Sequence, residues 1–290
     1  MRSGEARNVF SRLAELSVYG ANVPKGQIVL VQAEIGLEEQ ARATAEAAYK
    51  RGAKFVDVAY FDPYLKRVRI ESADPDTLDF VPQWYGERVL EHAEQNGARI
   101  SMRGVTAPHV MDGLDKSLLG KDMLPSVKET LKVVGERSTN WCFVPVPHPA
   151  WAALVHPDLP ADEAYQQLWR ELEHALRLDE PDPLAASDER MAVLSDYAAR
   201  LTERRFDAIE LRGPGTEVTI GLARGSSADR RPRAGPDTDT QELMPRGFVP
   251  YESRATGRCV CRTTTSDMTT STVSLRRSTS PQRARGMSRG

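Results

Sequence analysis

The sequence has few cysteines, no long apolar run and no histidine after His174, and each lack excludes something. Cys142, Cys259 and Cys261 are too few and too unevenly spaced for a disulfide framework, which fits a reducing compartment. Cys259-Val260-Cys261 has one intervening residue and no second pair, so it does not read as a zinc knuckle. No stretch of about 18 apolar residues occurs. Arg2, Glu5, Arg7 and Arg12 break up the opening segment, which therefore does not read as a secretory signal. A cytoplasmic protein with no membrane partner is expected. His92, His109, His148, His156 and His174 show no HExxH or similar paired spacing.

What is present divides into two materials. Residues 223–290 hold 13 arginines, no lysine and six acidic residues, whereas residues 1–222 hold 26 basic against 35 acidic residues. Of those last 68 residues, 32 are Arg, Ser or Thr, and the large apolar residues are scattered singly, so little core can form there. Two readings stay open. One is a natural disordered basic tail. The other is a change of reading frame, since Arg, Pro, Gly, Ser and Thr without Lys is what GC-rich codons give out of frame; the abruptness of the change favours this second reading. Nucleic acid is not expected as a partner of the tail, which lacks interleaved aromatics and carries acidic residues through its first half.

Residues 1–222 read as one α/β domain. After a short helix over Phe10 to Leu16, Gln27-Ile28-Val29-Leu30-Val31 is a strand apolar on both faces. Glu38 to Lys50 reads as a helix stopped at Gly52, and Phe55 to Tyr60 as the next strand, a unit suited to a parallel crossover. A helix over Val81 to Gln95, a strand over Ala98 to Met102, a helix over Ser126 to Glu136 and a strand over Trp141 to Val146 follow. A Pro-rich loop over Pro147 to Trp151 comes next, then helices over Ala161 to Leu176 and Asp188 to Arg205 with the polar link Asp179 to Asp182 between them. Phe206 to Leu211 and Val218 to Leu222 read as strands about a Gly213-Pro214-Gly215 turn. The expected fold is Rossmann-like, a largely parallel sheet flanked by helices over 1–222, followed by the disordered Arg/Ser/Thr-rich tail over 223–290.

Topology of this kind invites nucleotide readings, but the residues do not follow. The first strand leads into Ala33-Glu34-Ile35-Gly36 and not GxGxxG, and Gly213-Pro214-Gly215-Thr216 lacks the lysine and following helix of a phosphate loop. No cofactor-binding residues are assigned. His148 and His156 fall after a sheet strand, where α/β proteins commonly bind ligands, but a loop histidine hydrogen-bonded to backbone is the preferred reading of both. Trp141, Trp151, Tyr165 and Trp169 read as core between that strand and the following helix, not as a substrate platform.

Four segments carry a family resemblance: Leu13-Ala14-Glu15-Leu16 with Gly26 to Val31; Ala47 to Ala53 running into Val56; Pro147 to Leu154 with Leu176 to Pro183; and Phe206-Asp207-Ala208 with Leu211 to Thr216 and Thr219 to Leu222. Their order and spacing resemble the N-terminal half of the thermophilic metallo-aminopeptidases of the aminopeptidase T, aminopeptidase S and PepS type. The resemblance implies hydrolysis of N-terminal residues from peptide substrates, two divalent metal ions, zinc or cobalt, and a homodimer. It also implies metal ligands of Glu, His, Asp and Tyr beyond the strand ending at Gly221-Leu222. The first belongs to a Pro-Thr-Glu-Glu-Val-Phe segment, whose nearest approach here is Thr240-Gln241-Glu242-Leu243; the following Phe is absent, so chance similarity is the preferred reading of Glu242. The later His and Asp ligands have no counterpart. This chain is therefore expected to bind no metal and to be an inactive, truncated or frame-altered member, its catalytic and metal residues unknown. The alternative is a non-catalytic dimerisation or interaction module with a basic tail.

Overall fold

The computed structural model describes residues 3–125, 127–135, 139–213, 216–222 and 272–276 of the 290-residue chain. They divide into two compact units, one ending at Asp188 and one beginning at Glu189.

In the first unit the elements run α1 (Ser3–Gly20), β1 (Ile28–Glu34), α2 (Glu38–Lys50), β2 (Phe55–Phe61), α3 (Pro63–Ser72), α4 (Gln83–Glu94), β3 (Ala98–Arg103), α5 (Lys116–Lys121), α6 (Lys128–Gly135), β4 (Asn140–Pro145), α7 (Pro149–Val155), α8 (Ala161–Ala175) and the start of α9 (Pro183–Arg204). The four strands form one sheet in the order β2-β1-β3-β4, every pairing parallel. The order in which strands are added thus reverses at β1, whose two neighbours are β2 and β3.

The two faces of this sheet differ in kind. Val29, Val31 and Ala33 of β1, Ala98, Ile100 and Met102 of β3, and Cys142 and Val144 of β4 point into one apolar core, which α1 and α2 close with Val9, Leu13, Val18, Ala41 and Ala48. Because strand side chains alternate, Gln32, Asp57, Arg99 and Ser101 share the opposite face. That face is polar and runs on hydrogen bonds. Arg99 Nε donates to Gln32 Oε1 at 2.6 Å, and Ser101 Oγ donates to the same oxygen at 3.2 Å. Arg88 of α4 grips Asp57 with two hydrogen bonds, and His92 Nε2 lies 3.1 Å from the same carboxylate. Burial pushes the Asp57 carboxyl up, but the Arg88 and His92 hydrogen bonds outweigh it and hold it below the usual carboxylate range. A small apolar cluster of Val89, Val127 and Val133 seats α4 on α6.

In the second unit β5 (Ala208–Gly213) pairs antiparallel with β6 (Thr216–Gly221) and with β7 (Thr272–Arg276). Pro214 and Gly215 of the expected turn lie outside the described residues, as do 223–271 and 277–290 of the expected tail. Within 223–290, β7 is the described stretch, and its alternation of Val273 and Leu275 with Thr272, Ser274 and Arg276 is a strand pattern.

The expected loop over Pro147 to Trp151 is corrected: Pro149 opens α7 with His148 as its N-cap. Proline is well suited to the first helical position, where its missing N–H would be unpaired anyway. Helices α3 and α5 also stand where no helix was read.

Candidate functional site

At the carboxyl edge of the parallel sheet, next to the β1/β3 reversal, three chain segments converge. This is where open α/β sheets place their ligands. β1 ends on Glu34, whose Oε2 accepts from Thr106 Oγ1 at 2.9 Å. The chain then turns through Gly36, at φ +102°, and the Gly36 N–H donates to Glu38 Oε1 at 2.9 Å. That hydrogen bond, followed by one from Glu38's own N–H, holds the Glu38 carboxyl below its ordinary range. From beyond β4, His148 lies over the Gly36 turn so closely that a Cβ on Gly36 would come within 3.0 Å of His148 Nε2.

His148 is fixed by its own helix. The Ala150 N–H donates to His148 Nδ1 at 3.2 Å, so the neutral ring carries its proton on Nε2, on the Gly36 side. Burial lowers the imidazole's pKa, with the charges of Glu34 and Glu38 opposing. The cluster is thus two carboxylates, a hydroxyl and a neutral imidazole N–H, suited to hydrogen-bonding a small polar group.

The other histidines lie apart from this edge. His92 pairs with Asp57, His109 with Asp112, His156 with Glu171 and His174 with Asp179. His156 closes the far end of α7, so it and His148 do not converge. Of the four aromatics Trp141 stands apart, packed edge-on against Phe143, while Trp169 packs against Phe10 and Tyr165, and Tyr165 also packs on the cluster that holds Trp151. Trp151 joins Ala152, Ala164 and Leu168 between α7 and α8. Glu242, Cys259 and Cys261 lie outside the described residues.

The polar face contributes a residue that sequence reasoning missed. Arg99, the second residue of β3, is 9% exposed, and its Nη1 is buried without a hydrogen-bond partner among the described residues. Its signal was present in Arg99, Ser101 and Arg103 alternating with apolar residues, a pattern that ordinarily marks a solvated face.

The sequence profile of the thermophilic metalloprotease (M29) family matches residues 7–228. The chain belongs to this family. It is 34% identical over 257 residues to aminopeptidase T of Thermus thermophilus, covering 85% of this chain and 62% of that relative. It is 28% identical over 215 residues to aminopeptidase AmpS of Bacillus subtilis, covering 73% and 52%. The structure of wild-type AmpT from Thermus thermophilus superposes with a TM-score of 0.66 at 35% identity, covering 75% of this chain and 54% of that one. This M29 chain therefore spans between half and two thirds of the length of these relatives.

The metal that the family implies was tested against the edge cluster, and the residues do not fit it. Among the described residues no group of three or more His, Cys, Asp or Glu side chains is placed to hold a metal ion. At the edge, one oxygen each of Glu34 and Glu38 is taken by Thr106 and Gly36, and His148 Nδ1 by Ala150.

The geometry gives the M29 domain a pH response. In the unfolded chain His148 titrates near about 6.5, whereas in the fold its pKa is lowered. The unfolded state therefore takes up the proton first as pH falls. Stability is fully present above the unfolded value, declines as pH drops through it, and levels once the folded ring protonates. His148→Asn, which keeps a good N-cap residue, is expected to flatten this part of the profile in urea denaturation between about pH 5 and 8. Equal slopes for the two proteins would remove His148 as the cause.

Proposed function

We propose that this chain carries the N-terminal α/β part of a metal-dependent aminopeptidase that releases N-terminal residues from peptides. What supports the reading is the family match across residues 7–228 together with aminopeptidase relatives that align over most of this chain. The metal-holding and catalytic residues belong, on this reading, to a part of the enzyme whose His and Asp ligands have no counterpart in residues 223–290, which contain no histidine. A two-metal site needs several converging oxygen and imidazole ligands to hold its ions about 3.5–4 Å apart and make bound water nucleophilic. The 290-residue polypeptide is accordingly proposed to have no turnover of its own, and its arginine-rich end to be an out-of-frame translation.

The test has two arms. The nucleotide sequence from codon 215 onward, read in three frames, is expected to contain a Pro-Thr-Glu-Glu-Val-Phe segment followed by His and Asp codons. The protein restored to that frame is expected to release p-nitroaniline from amino-acid p-nitroanilides with added cobalt or zinc, and the 290-residue chain is not. Robust metal-dependent turnover by the 290-residue chain would overturn the inactivity. A restored protein without turnover would overturn the aminopeptidase reading.

A further inference from the structure

Among the described residues Arg99 is a buried cation without a counter-charge. Its Nε is bonded to the neutral Gln32, its Nη1 has no partner, and among the described residues no carboxylate forms an ion pair with it. Burial and the neighbouring Arg103 guanidinium push it down to about 10, with only the Tyr85 hydroxyl opposing. Guanidinium groups are normally charged at any physiological pH, and leaving one unpaired in the interior costs several kcal/mol. A guanidinium kept buried without a partner is suited to pairing with an anionic ligand.

The space beside it matches. A crevice of about 30 Å³ is lined by Arg99, Arg103, Tyr85, Tyr60, Phe61 and Glu34, among others. It lies at the carboxyl ends of β1, β2 and β3, between the sheet's polar face and α4. Tyr60 at its mouth is exposed, and Arg103 is exposed and held over the Phe143 ring at 5.9 Å. Glu34 does not fill the role: its carboxylate is held by Thr106, and the parallel register, which pairs Leu30 with Arg99, leaves Glu34 four residues further along β1.

We propose that this crevice is a carboxylate-binding subsite, in which a carboxylate on an apolar stem pairs with the Arg99 guanidinium, with Arg103 at the entrance. A planar carboxylate matches the guanidinium fork, and the Tyr60, Phe61 and Tyr85 rings suit a hydrocarbon stem, which inorganic phosphate lacks. The subsite does not depend on the aminopeptidase reading, because every residue in it lies in the described first unit.

The test uses the full 290-residue chain, with thermal melts and calorimetric titration at constant ionic strength, replacing chloride by acetate, by phosphate, or by a short apolar peptide with a free C-terminal carboxylate or its amide. Acetate and the free-carboxylate peptide are expected to raise the melting temperature saturably, and phosphate and the amide are not. A peptide that binds more tightly than acetate assigns the source to a peptide terminus; acetate binding as tightly assigns it to a small free acid. Arg99→Met removes the unpaired charge while Ser101 still satisfies Gln32, so it is expected to raise the melting temperature in chloride and weaken acetate about tenfold or more, the scale of one charged hydrogen bond. Should the Met variant not fold, Arg99→Lys keeps the charge without the planar fork and is also expected to weaken acetate. No difference between acetate and chloride in the wild type, an equal response to the amide, or an undiminished acetate response in both Arg99 variants would overturn the subsite.

Discussion

Replacing Trp169 with alanine is expected to remove about 3–5 kcal/mol of stability, the cost of emptying a large aromatic site. That is a sizeable part of the roughly 5–15 kcal/mol that holds a typical domain together. Trp169 is 1% exposed and stands on the inner side of α8. Its ring meets Phe10 of α1 edge-on at 5.2 Å and Tyr165 one helical turn away at 6.4 Å. The site cannot collapse easily, because Phe10 is fixed by α1 and α1 by α2 against the apolar face of the sheet. Trp169→Phe keeps a ring in the site and is expected to lose clearly less. Urea denaturation of the two variants measures the difference. An alanine variant with an unchanged midpoint would mean that α8 is not seated on the core, and would reopen the substrate-platform reading for Trp169.

The strands were legible because their burial leaves a plain mark. The first half of β1, Ile28 to Val31, is apolar on both sides of the chain and lies inside the sheet, and β2 to β4 followed from short apolar runs bounded by glycine or polar turns. Helix α2 matched to the residue, since Ala41, Thr44 and Ala48 form its buried stripe and Gly52 takes a positive φ after it. Helices α3 and α7 were hidden from periodicity for opposite reasons. Tyr64, Leu65 and Val68 of α3 are exposed, so no buried stripe of normal strength exists, while α7 is too short to show a period. Both announced themselves in another way. Asp62 before Pro63 accepts from the Tyr64 and Leu65 N–H groups, and His148 before Pro149 accepts from Ala150. A capping side chain before proline is a helix start even where no amphipathic pattern follows it.

The candidate site was legible only in part. His148 was identifiable from its place after a strand, but its partners were not, because Glu34 and Gly36 reach it from one segment and Thr106 from another, both far from it in sequence. Arg99 was harder still. A polar face on a strand ordinarily means water, and nothing local says that α4 and Tyr85 cover it. The two faces of one sheet therefore divide the labour: the face under α1 and α2 supplies the stability, and the face under α4 keeps charged groups where a ligand can use them.

Gly104→Ala is expected to cost about 3 kcal/mol, at the upper end of what one inserted methyl does in a close-packed place. Gly104 follows the last residue of β3. A Cβ there would stand 2.6 Å from the Val146 carbonyl oxygen and 3.4 Å from Leu37 Cδ2. The nearer atom is backbone, so no rotamer change relieves it; β3 and β4 must part beyond the Val146 N–H to Arg103 carbonyl bond of 2.8 Å. Leu37, 3% exposed, is fixed at the start of α2 and yields little. His148 lies two residues beyond Val146, so the same displacement is expected to loosen its seat over Gly36 and shrink its contribution to the pH profile. Gly120 supplies the control. A Cβ there meets nothing within 4 Å, so Gly120→Ala in α5 is expected to gain up to about 1 kcal/mol from helix propensity alone. Urea midpoints that move in opposite directions for the two substitutions separate crowding at the sheet edge from the general effect of replacing glycine. Equal and small shifts would mean that the edge is loose enough to admit a methyl group, and the three segments would not be held in the close convergence on which the candidate site depends.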